Sequence, residues 1–455
     1  MVSYRGIAGV YSFDKKVSKD ALDRVIRGLQ HRGEPIIIDP CARETNIISS
    51  HIALVEIGLN ISAEDVANNN ILGDIVIVWD GMMDFSPREL HNIPRYVPRG
   101  FYSIAMYNLA KDRLIIMRDR IGRKPLYYCK KDEIIVFASE RKAIRWLSEP
   151  KRLPPRHAAI IENGEISLVR YAEIRQPERS KLVYDEETCI NTLCRLLKRS
   201  VEKLSPDSVA VIFSGGLDSS TIAWIAKSFS DVELFSVGMR DSRDLRNAER
   251  MAKILGITIN VREIREEELE DYARETIRAI EEADPLKVLI GIPIYVACEA
   301  VRDHGYHIAL AGQGADELFG GYAKYLAMSE KELESVLISD LRDLAVKNLE
   351  RDDHVSMANS VELRLPYLDD ELFDFALRVP TSLKTKNGIR KYILRRAAER
   401  LGVPREIAYA EKKAIQYSTG VAKHLEKMAK RKKMRLREYV EKLYRETFGT
   451  PRPTS

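Results

Sequence analysis

The stretch from residue 208 to residue 220 constrains the fold of this chain more than any other. Residues 209–213 are apolar and largely β-branched, which is typical of a buried strand. Ser214, Gly215 and Gly216 follow and form a turn that only small residues allow. An apolar stripe at helical spacing begins directly afterwards. This order predicts a phosphate cradle, because free backbone N–H groups and the positive end of a helix face the same point.

The loop differs from a Walker A loop, because it has no Gly-Lys-Ser/Thr ending and so no lysine for the β- and γ-phosphates. It carries Asp218 instead, whose carboxylate suits a Mg²⁺ that bridges phosphates, together with hydroxyls at Ser219 and Ser220. The alternative is a Gly-Gly turn with a serine cap and no ligand. The strand, glycines, aspartate and hydroxyls in combination favour the phosphate site.

Composition excludes several classes of protein. A length of 455 residues suggests two to three domains, and a net charge of +5 from 73 basic and 68 acidic residues argues against a dedicated nucleic-acid binder. The chain has no run of 18 apolar residues and no apolar N-terminal segment, so we expect neither a membrane span nor a secretory signal. Its five cysteines lack metal-ligand spacing, which favours a reducing, cytoplasmic setting.

The pattern of apolar residues predicts an α/β protein of two domains. Residues 1–170 read as a β-rich layer with a few helices, and a polar stretch follows that contains Pro177. Residues 185–455 begin with alternating strands and helices, which indicates a doubly wound parallel sheet, and continue as a helical part. Ligands of such sheets bind at the carboxyl ends of the strands, where Ser214 and Gly312 fall.

A second motif follows the strand predicted at 307–311. Gln313 stands between two glycines, and Asp316 and Glu317 open the next helix. Carboxylates at a helix start suit the helix dipole, which explains them without a ligand. Beside the phosphate loop, we favour Asp316 as a second Mg²⁺ ligand.

Further along the chain are charged residues with structural or functional interpretations. Glu362 and Arg364 lie two apart in an extended segment, as in a structural ion pair. Lys391, Lys412 and Lys413 either balance the charge of a leaving pyrophosphate or are solvated surface residues. The basic stretch 423–446 is interpreted as a surface helix, with an RNA-binding patch as the alternative.

Taken together, these stretches resemble the synthetase domain of the asparagine synthetase family, which includes the β-lactam and carbapenam synthetases. The matching pieces are 214–220, 235–238, 312–322, 356–369, 391–397 and 412–414, in the family's order. The resemblance implies a doubly wound ATP-pyrophosphatase domain. It also implies that a substrate carboxylate attacks the α-phosphorus of ATP·Mg²⁺, and that an amine then displaces AMP from the acyl-adenylate to form an amide.

The resemblance also assigns site residues. ATP and its pyrophosphate are bound by the following residues: Ile212, Ser214, Gly215, Gly216, Asp218, Ser219, Ser220, Val237 and Gly312. Mg²⁺ is bound by Asp218 and Asp316, and the catalytic set is Lys413, Gln313 and Asp316. Gln313 is a departure, because many family members carry a glutamate there and glutamine cannot act as a base near neutral pH.

The first domain resembles the family's class II glutaminase, an αββα sandwich with an N-terminal nucleophile. Its matching pieces are 6–10, 31–33, 118–128 and 138–144. That glutaminase needs a cysteine as first residue before the Gly-Ile, but here Arg5 precedes Gly6. Ala53, Asp80 and Arg99 replace the arginine, the asparagine of the oxyanion hole and the aspartate that bind glutamine in the family.

We therefore expect an amide ligase without glutaminase activity, with aspartate as the first candidate carboxylate and ammonia or another amine as the nitrogen donor. The expected partners are these small molecules, and the family suggests a homodimer. Two alternatives remain open from the sequence. One is a specialised amide or lactam synthetase acting on another carboxylate, and the other is a non-catalytic ATP-binding scaffold.

Overall fold

The computed structural model describes residues 3–13, 15–41, 44–45, 50–59, 70–84, 98–240, 242–410 and 419–449. The chain divides into two compact units, Met1–Glu173 and Ile174–Ser455. The division falls at the start of the polar stretch that contains Pro177. Lys412 and Lys413 lie outside the described residues.

The first unit is a sandwich of two antiparallel sheets. Its strands are β1 (Ser3–Ser12), β2 (Glu34–Asp39), β3 (Glu44–Thr45), β4 (Ile52–Leu59), β5 (Ile71–Leu72), β6 (Ile75–Met83), β7 (Gly100–Asn108), β8 (Arg113–Arg118), β9 (Tyr127–Lys131), β10 (Ile134–Ala138), β11 (Lys151–Arg152), β12 (His157–Glu162) and β13 (Glu165–Arg170). One sheet has the order β11-β9-β10-β1-β4-β2-β3 and the other β13-β12-β8-β7-β6-β5.

Alternating side chains create the core of this sandwich. In β1, Ile7 and Tyr11 belong to the apolar cluster between the sheets, whereas Ala8 and Val10 belong to the cluster on the outer face. Helix α1 (Lys19–Arg27) covers that outer face with Leu22 and Val25. The helix begins after Ser18, whose side chain accepts a hydrogen bond from the N–H of Ala21.

The second unit contains a parallel sheet with helices around it. Its strands are β14 (Ser208–Ile212), β15 (Asp231–Met239), β16 (Ile259–Ile264), β17 (Ile308–Leu310) and β18 (Glu362–Arg364), in the order β16-β15-β14-β17-β18. Every neighbouring pair in this sheet is parallel. The α/β fold class with a doubly wound parallel sheet is confirmed.

The helices of this unit follow the strands and then continue alone. They are α2 (Glu186–Leu204), α3 (Leu217–Ala226), α4 (Arg243–Leu255), α5 (Leu269–Ile280), α6 (Pro285–Asp303), α7 (Ala315–Phe319), α8 (Glu330–Leu344), α9 (Glu350–Met357), α10 (Asp370–Arg378), α11 (Thr381–Lys384), α12 (Tyr392–Arg400), α13 (Arg405–Ala408), α14 (Val421–Arg431) and α15 (Leu436–Phe448). A π-helical turn, Ala345–Leu349, joins α8 to α9.

Two elements differ from the pattern expected from the sequence. The apolar pattern predicts a helix over 292–303, but α6 begins at Pro285, because Asp284 caps it by accepting from the N–H of Lys287 and the proline occupies the first turn. The later Pro293 lies inside the helix. Strand β18 has only three residues, which is too short to show a periodic pattern.

The basic stretch near the C-terminus forms α14 and α15. Their apolar residues join the core of the second unit, and several of their basic side chains pair with carboxylates near α5. Arg431 pairs with Glu266 and Lys432 with Glu270. Of the helices described here, none combines the length and hydropathy that crossing a membrane requires.

Candidate active site

The loop after β14 has the backbone of an anion-binding turn. Gly215 has a φ of +69°, and a Cβ at this position would lie 2.7 Å from Nδ2 of Asn247. Only glycine fits both conditions. Gly216 is the N-cap of α3 and provides no side-chain hydrogen bond to the first N–H groups of the helix. These donors therefore remain available for a phosphate oxygen.

The serines of the loop differ in exposure. Ser214 is exposed, and its N–H donates to Oγ of Ser219 at 3.3 Å. Ser220 is fully buried, and its Oγ has no hydrogen-bond partner among the residues that the structure describes. Orphaned hydroxyls are rare in protein interiors, so this one is a candidate donor to a bound group.

The adjacent strands bring the remaining predicted nucleotide residues to the same edge of the sheet. Ile212 ends β14, and Val237, which is 7% exposed, lies in the neighbouring β15. Gly312 follows β17, and a Cβ on it would lie 2.9 Å from Cβ of Asp218. The two loops therefore touch, and a larger residue at Gly312 would separate them.

The carboxylates of Asp218 and Asp316 converge on one cation, the ammonium of Lys391. Nζ of Lys391 lies 2.7 and 2.6 Å from the two carboxylate oxygens of Asp218. It also lies 2.7 Å from Oδ1 of Asp316. The lysine side chain is 3% exposed and the carboxylates 18% and 16%. Burial lowers the pKa of Lys391, and the neighbouring carboxylate of Asp218 opposes that shift.

The backbone around this cluster fixes its geometry. Lys391 precedes α12 with a left-handed φ of 55°, an uncommon conformation for a residue with a side chain. A Cβ on Gly321 would overlap both Oδ1 of Asp316 and Cε of Lys391. Tyr367 donates its hydroxyl to the backbone oxygen of Asp218 at 3.1 Å. The sequence named Lys391 only as one of several lysines, and its central position is a finding of the structure.

The pair Asp218 and Asp316 fits a magnesium ion that arrives with a nucleotide. Both carboxylates face one point, and oxygen is the ligand atom that Mg²⁺ prefers. Over the described ranges there is no cluster of three or more histidine, cysteine, aspartate or glutamate residues that could hold a metal. Mg²⁺ is usually bound by one or two carboxylates plus substrate phosphates, so two carboxylates beside a phosphate loop match that mode.

A buried polar network extends from α7 to α9 beside the carboxylate cluster. Glu317 accepts hydrogen bonds from the hydroxyl of Tyr322 at 2.6 Å and from Nδ2 of Asn348 at 3.2 Å, and burial raises its pKa. Arg351 donates to Oδ1 of Asn348 at 3.3 Å and to Oδ1 of Asp352 at 2.8 Å. Asn348 lies in the π-helical turn, a distortion that occurs frequently at functional sites. Sequence reasoning missed this network, whose only local signal is a run of charged residues at 350–354.

In the first unit, charged side chains fill the region where a glutaminase would act. Arg5, which stands where the family has its cysteine, is 1% exposed. The Asp80 carboxylate lies 2.9 Å from Nζ of Lys124 and 3.5 Å from Nη1 of Arg32, and all three side chains are buried. Arg32 also donates to the backbone oxygen of Arg5 at 2.7 Å. A carboxylate held in this way accepts hydrogen bonds, whereas an oxyanion hole requires donors.

Sequence comparisons match both units of this chain to known families. A family model described as asparagine synthase matches residues 192–334 and 326–449, and one described as a glutamine amidotransferase domain matches 96–172. A protein of Methanocaldococcus jannaschii named as a glutamine-hydrolysing asparagine synthetase is 37% identical over 405 residues, which cover 76% of this chain and 74% of that protein. Asparagine synthetase B of Escherichia coli is 30% identical over 346 residues, covering 71% of this chain and 61% of its own length.

Among solved structures, a glutamine phosphoribosylpyrophosphate amidotransferase from B. subtilis aligns with 56% of this chain and 65% of its own, at 12% identity and a TM-score of 0.29. A TM-score of that size supports no argument about function. The family assignment depends instead on the sequence relatives and on the family model, which spans more than half of the chain. This chain belongs to the asparagine synthetase family.

Proposed function

We propose that this protein is an ATP-dependent, AMP-forming amide ligase that activates a carboxylate, with aspartate as the first candidate, and transfers the acyl group to ammonia or a small amine. The observation that carries the proposal is the convergence of Asp218 and Asp316 on one cation beside an uncapped helix N-terminus. Relatives named as asparagine synthetases support the choice of reaction and of aspartate.

Each part of the site has a task in this reaction. Free N–H groups at the start of α3, with Ser214 and Ser219, hold the pyrophosphate portion of ATP. Asp218 and Asp316 hold Mg²⁺, which when bound neutralises phosphate charge. The substrate carboxylate forms a bond to the α-phosphorus while the bond to the pyrophosphate oxygen breaks. Lys391, already in the cluster, and Lys413 are the cations that balance the charge on the departing pyrophosphate.

The second step releases AMP. The nitrogen lone pair attacks the acyl carbon, the bond to the AMP oxygen breaks, and the nitrogen loses a proton to solvent or to a nearby acceptor. Gln313 cannot remove that proton near neutral pH, but its amide can hold the nitrogen by a hydrogen bond.

We further propose that the first unit supplies no nitrogen. Arg5 replaces the required cysteine, and Asp80 is an ion-paired acceptor where a donor is needed. The names of the relatives include glutamine hydrolysis, so this is a difference within the family. Nitrogen then comes from solvent ammonia, another amine or the substrate itself.

The test is pyrophosphate release from ATP·Mg²⁺ by the purified full chain. Aspartate with ammonium chloride should give release, and glutamine in place of ammonium should add none. Asp218→Ala should abolish release because it removes a metal ligand. Asp231→Ala, an exposed carboxylate at the start of β15 and so at the opposite end of the sheet, is the matched control and should retain activity. Glutamine-dependent release of glutamate would contradict the second proposal.

Two alternatives are separated by the same assay. A specialised amide or lactam synthetase would be silent with aspartate and active with another carboxylate from a panel. A non-catalytic scaffold would bind ATP without releasing pyrophosphate under any condition. The joint presence of Asp218, Asp316 and Lys413 argues against the scaffold, because a synthetase domain without catalysis should have lost such residues, as the first unit lacks its nucleophile.

A further inference from the structure

Basic side chains concentrate on helices α14 and α15 of the second unit. Residues 423–437 contain eight lysines and arginines and one glutamate, a net charge of +7, whereas the whole chain carries +5. The near balance of charge in this protein therefore hides a strongly basic stretch on an otherwise slightly acidic chain. All eight basic residues are exposed, and together they are named the basic surface: Lys423, Lys427, Lys430, Arg431, Lys432, Lys433, Arg435 and Arg437.

Neighbouring carboxylates neutralise half of the basic surface. Four of its side chains form ion pairs with glutamates, and the pairs are Lys427–Glu266, Arg431–Glu266, Lys432–Glu270 and Arg437–Glu441. The other four form no ion pair with a carboxylate of the described residues, and these are Lys423, Lys430, Lys433 and Arg435. Their charge is therefore available to an anionic partner.

Helix stability explains only part of this charge. Cations at the end of a helix suit its dipole, which accounts for Lys430 in the last turn of α14. Lys423 lies in the first turn of α14 and Arg435 is the N-cap of α15, and a cation at the start of a helix opposes the dipole. Lys433 has a left-handed φ of 56°, a conformation that glycine adopts more readily. Three of the four unpaired cations thus stand where the local structure does not favour them.

The basic surface lacks the apolar side chains that other anionic partners would need. The apolar residues of both helices, such as Leu425 and Val440, lie in the core of the second unit. None of the large apolar side chains exposed in the described ranges lies between residues 419 and 449. Amphipathic helices insert apolar residues into membranes, protein interfaces have an apolar core, and single-stranded nucleic acids stack their bases on aromatic rings. The phosphate backbone of a duplex needs only cations.

We propose that the basic surface binds the phosphate backbone of a double-stranded nucleic acid without reading its sequence. Lys423 and Arg431 lie about 12 Å apart along the axis of α14, a distance over which a duplex presents about seven phosphate charges. The surface lies beside the sheet edge that carries the phosphate loop, because the N–H of Met239, which ends β15, donates to the oxygen of Thr419 just before α14. The inference is independent of the proposed ligase function.

The test measures the affinity of the full-length protein for labelled duplexes by fluorescence anisotropy. An RNA duplex of about 20 base pairs and a DNA duplex of the same sequence are titrated between about 50 and about 200 mM salt. Four phosphate contacts predict that the Kd rises about 150-fold over this range. The duplex that binds more tightly identifies the source of the backbone, and equal affinities indicate that either serves.

Neutralising the four unpaired cations should remove this binding. The variant combines Lys423→Gln, Lys430→Gln, Lys433→Gln and Arg435→Gln. Its Kd at about 50 mM salt should rise more than about a hundredfold, and most of the salt dependence should disappear. Because all four residues are exposed, urea unfolding should match that of the wild type.

The matched control removes the same charge from other helices of the second unit. It replaces by glutamine four exposed cations of α2, α4 and α8 that form no ion pair with a described carboxylate: Arg195, Lys198, Lys253 and Lys331. Since these residues lie outside the basic surface, the Kd should change less than about threefold.

Four results would overturn the inference. They are absence of binding to either duplex at about 50 mM salt, an equal loss of affinity in the variant and its control, tighter binding of a single strand than of the duplex, and displacement of the duplex by phosphatidylglycerol vesicles or polyglutamate more effectively than by unlabelled duplex of equal charge. The last result would identify a membrane or an acidic protein as the partner instead.

Discussion

Replacing Lys391 by methionine should make the unfolding free energy of the protein depend on Mg²⁺. The substitution keeps an unbranched stem as far as Cε and removes the ammonium that lies 2.6–2.7 Å from the oxygens of Asp218 and Asp316. Two carboxylates, each less than a fifth exposed, then face each other without the ammonium that now lies between them. Breaking a buried ion pair by removing one partner typically costs about 3–5 kcal/mol of unfolding free energy.

Magnesium should recover part of this loss. Since the variant offers the carboxylates to any cation, Mg²⁺ binds to the folded state and stabilises it by about 2.7 kcal/mol at one hundred times its Kd. In the wild type, Lys391 already occupies the position between the carboxylates, so nucleotide-free protein should gain much less. Urea unfolding of both proteins in EDTA and in a Mg²⁺ series measures the two effects directly.

Lys384→Met is the control for this experiment. Lys384 is another buried lysine, 4% exposed, but no carboxylate is in salt-bridge contact with it within the described residues. Its removal should create no dependence on Mg²⁺. The reasoning about the cluster fails if Lys391→Met is as stable as the wild type in EDTA, or if Mg²⁺ stabilises both proteins equally.

Two further predictions follow from single residues. Gly321→Ala should lower kcat by more than about tenfold, because its Cβ would overlap Oδ1 of Asp316 and Cε of Lys391, whereas Gly305→Ala, with nothing within 4 Å, should affect stability alone. Steady-state pyrophosphate release distinguishes them. Lys384 has a pKa lowered to about 7 by burial, against about 10.4 in the unfolded chain, so between these values only the unfolded state binds the proton. Unfolding free energy should therefore rise with pH relative to Lys384→Met, by up to about 1.4 kcal/mol per pH unit, and a flat difference in urea titrations from about pH 7 to about pH 9 would refute this.

The fold was largely predictable because its signals are local. The sequence predicts a helix near 186–204, and α2 occupies that range, since its apolar stripe is continuous and Asp185 caps it. The phosphate loop was likewise visible, because strand, glycines and helix are adjacent in the sequence. The sequence predicted β18 only as an extended segment. Its three residues pair with β17, which is distant in the sequence, so no local pattern marks them as a strand.

The site was predictable only in part, because it joins residues that the sequence separates. Asp218 and Asp316 were named from motifs, but the partner that links them is 173 positions beyond Asp218. Nothing local marks Lys391 apart from other basic residues of its segment.

The buried charges around Asp80 have a consequence for the history of the first unit. Reintroducing a cysteine before Gly6 would not revive glutamine hydrolysis, because Asp80 would still repel an oxyanion. Changing Asp80 to asparagine as well would remove the buried carboxylate that pairs with Lys124, while Arg32 would keep its ion pair with Glu140. Each single substitution towards the family's residues therefore gives no activity or costs stability, and only several simultaneous substitutions would avoid this. On the proposal that the first unit hydrolyses no glutamine, the stability of this domain would itself oppose a return of the activity.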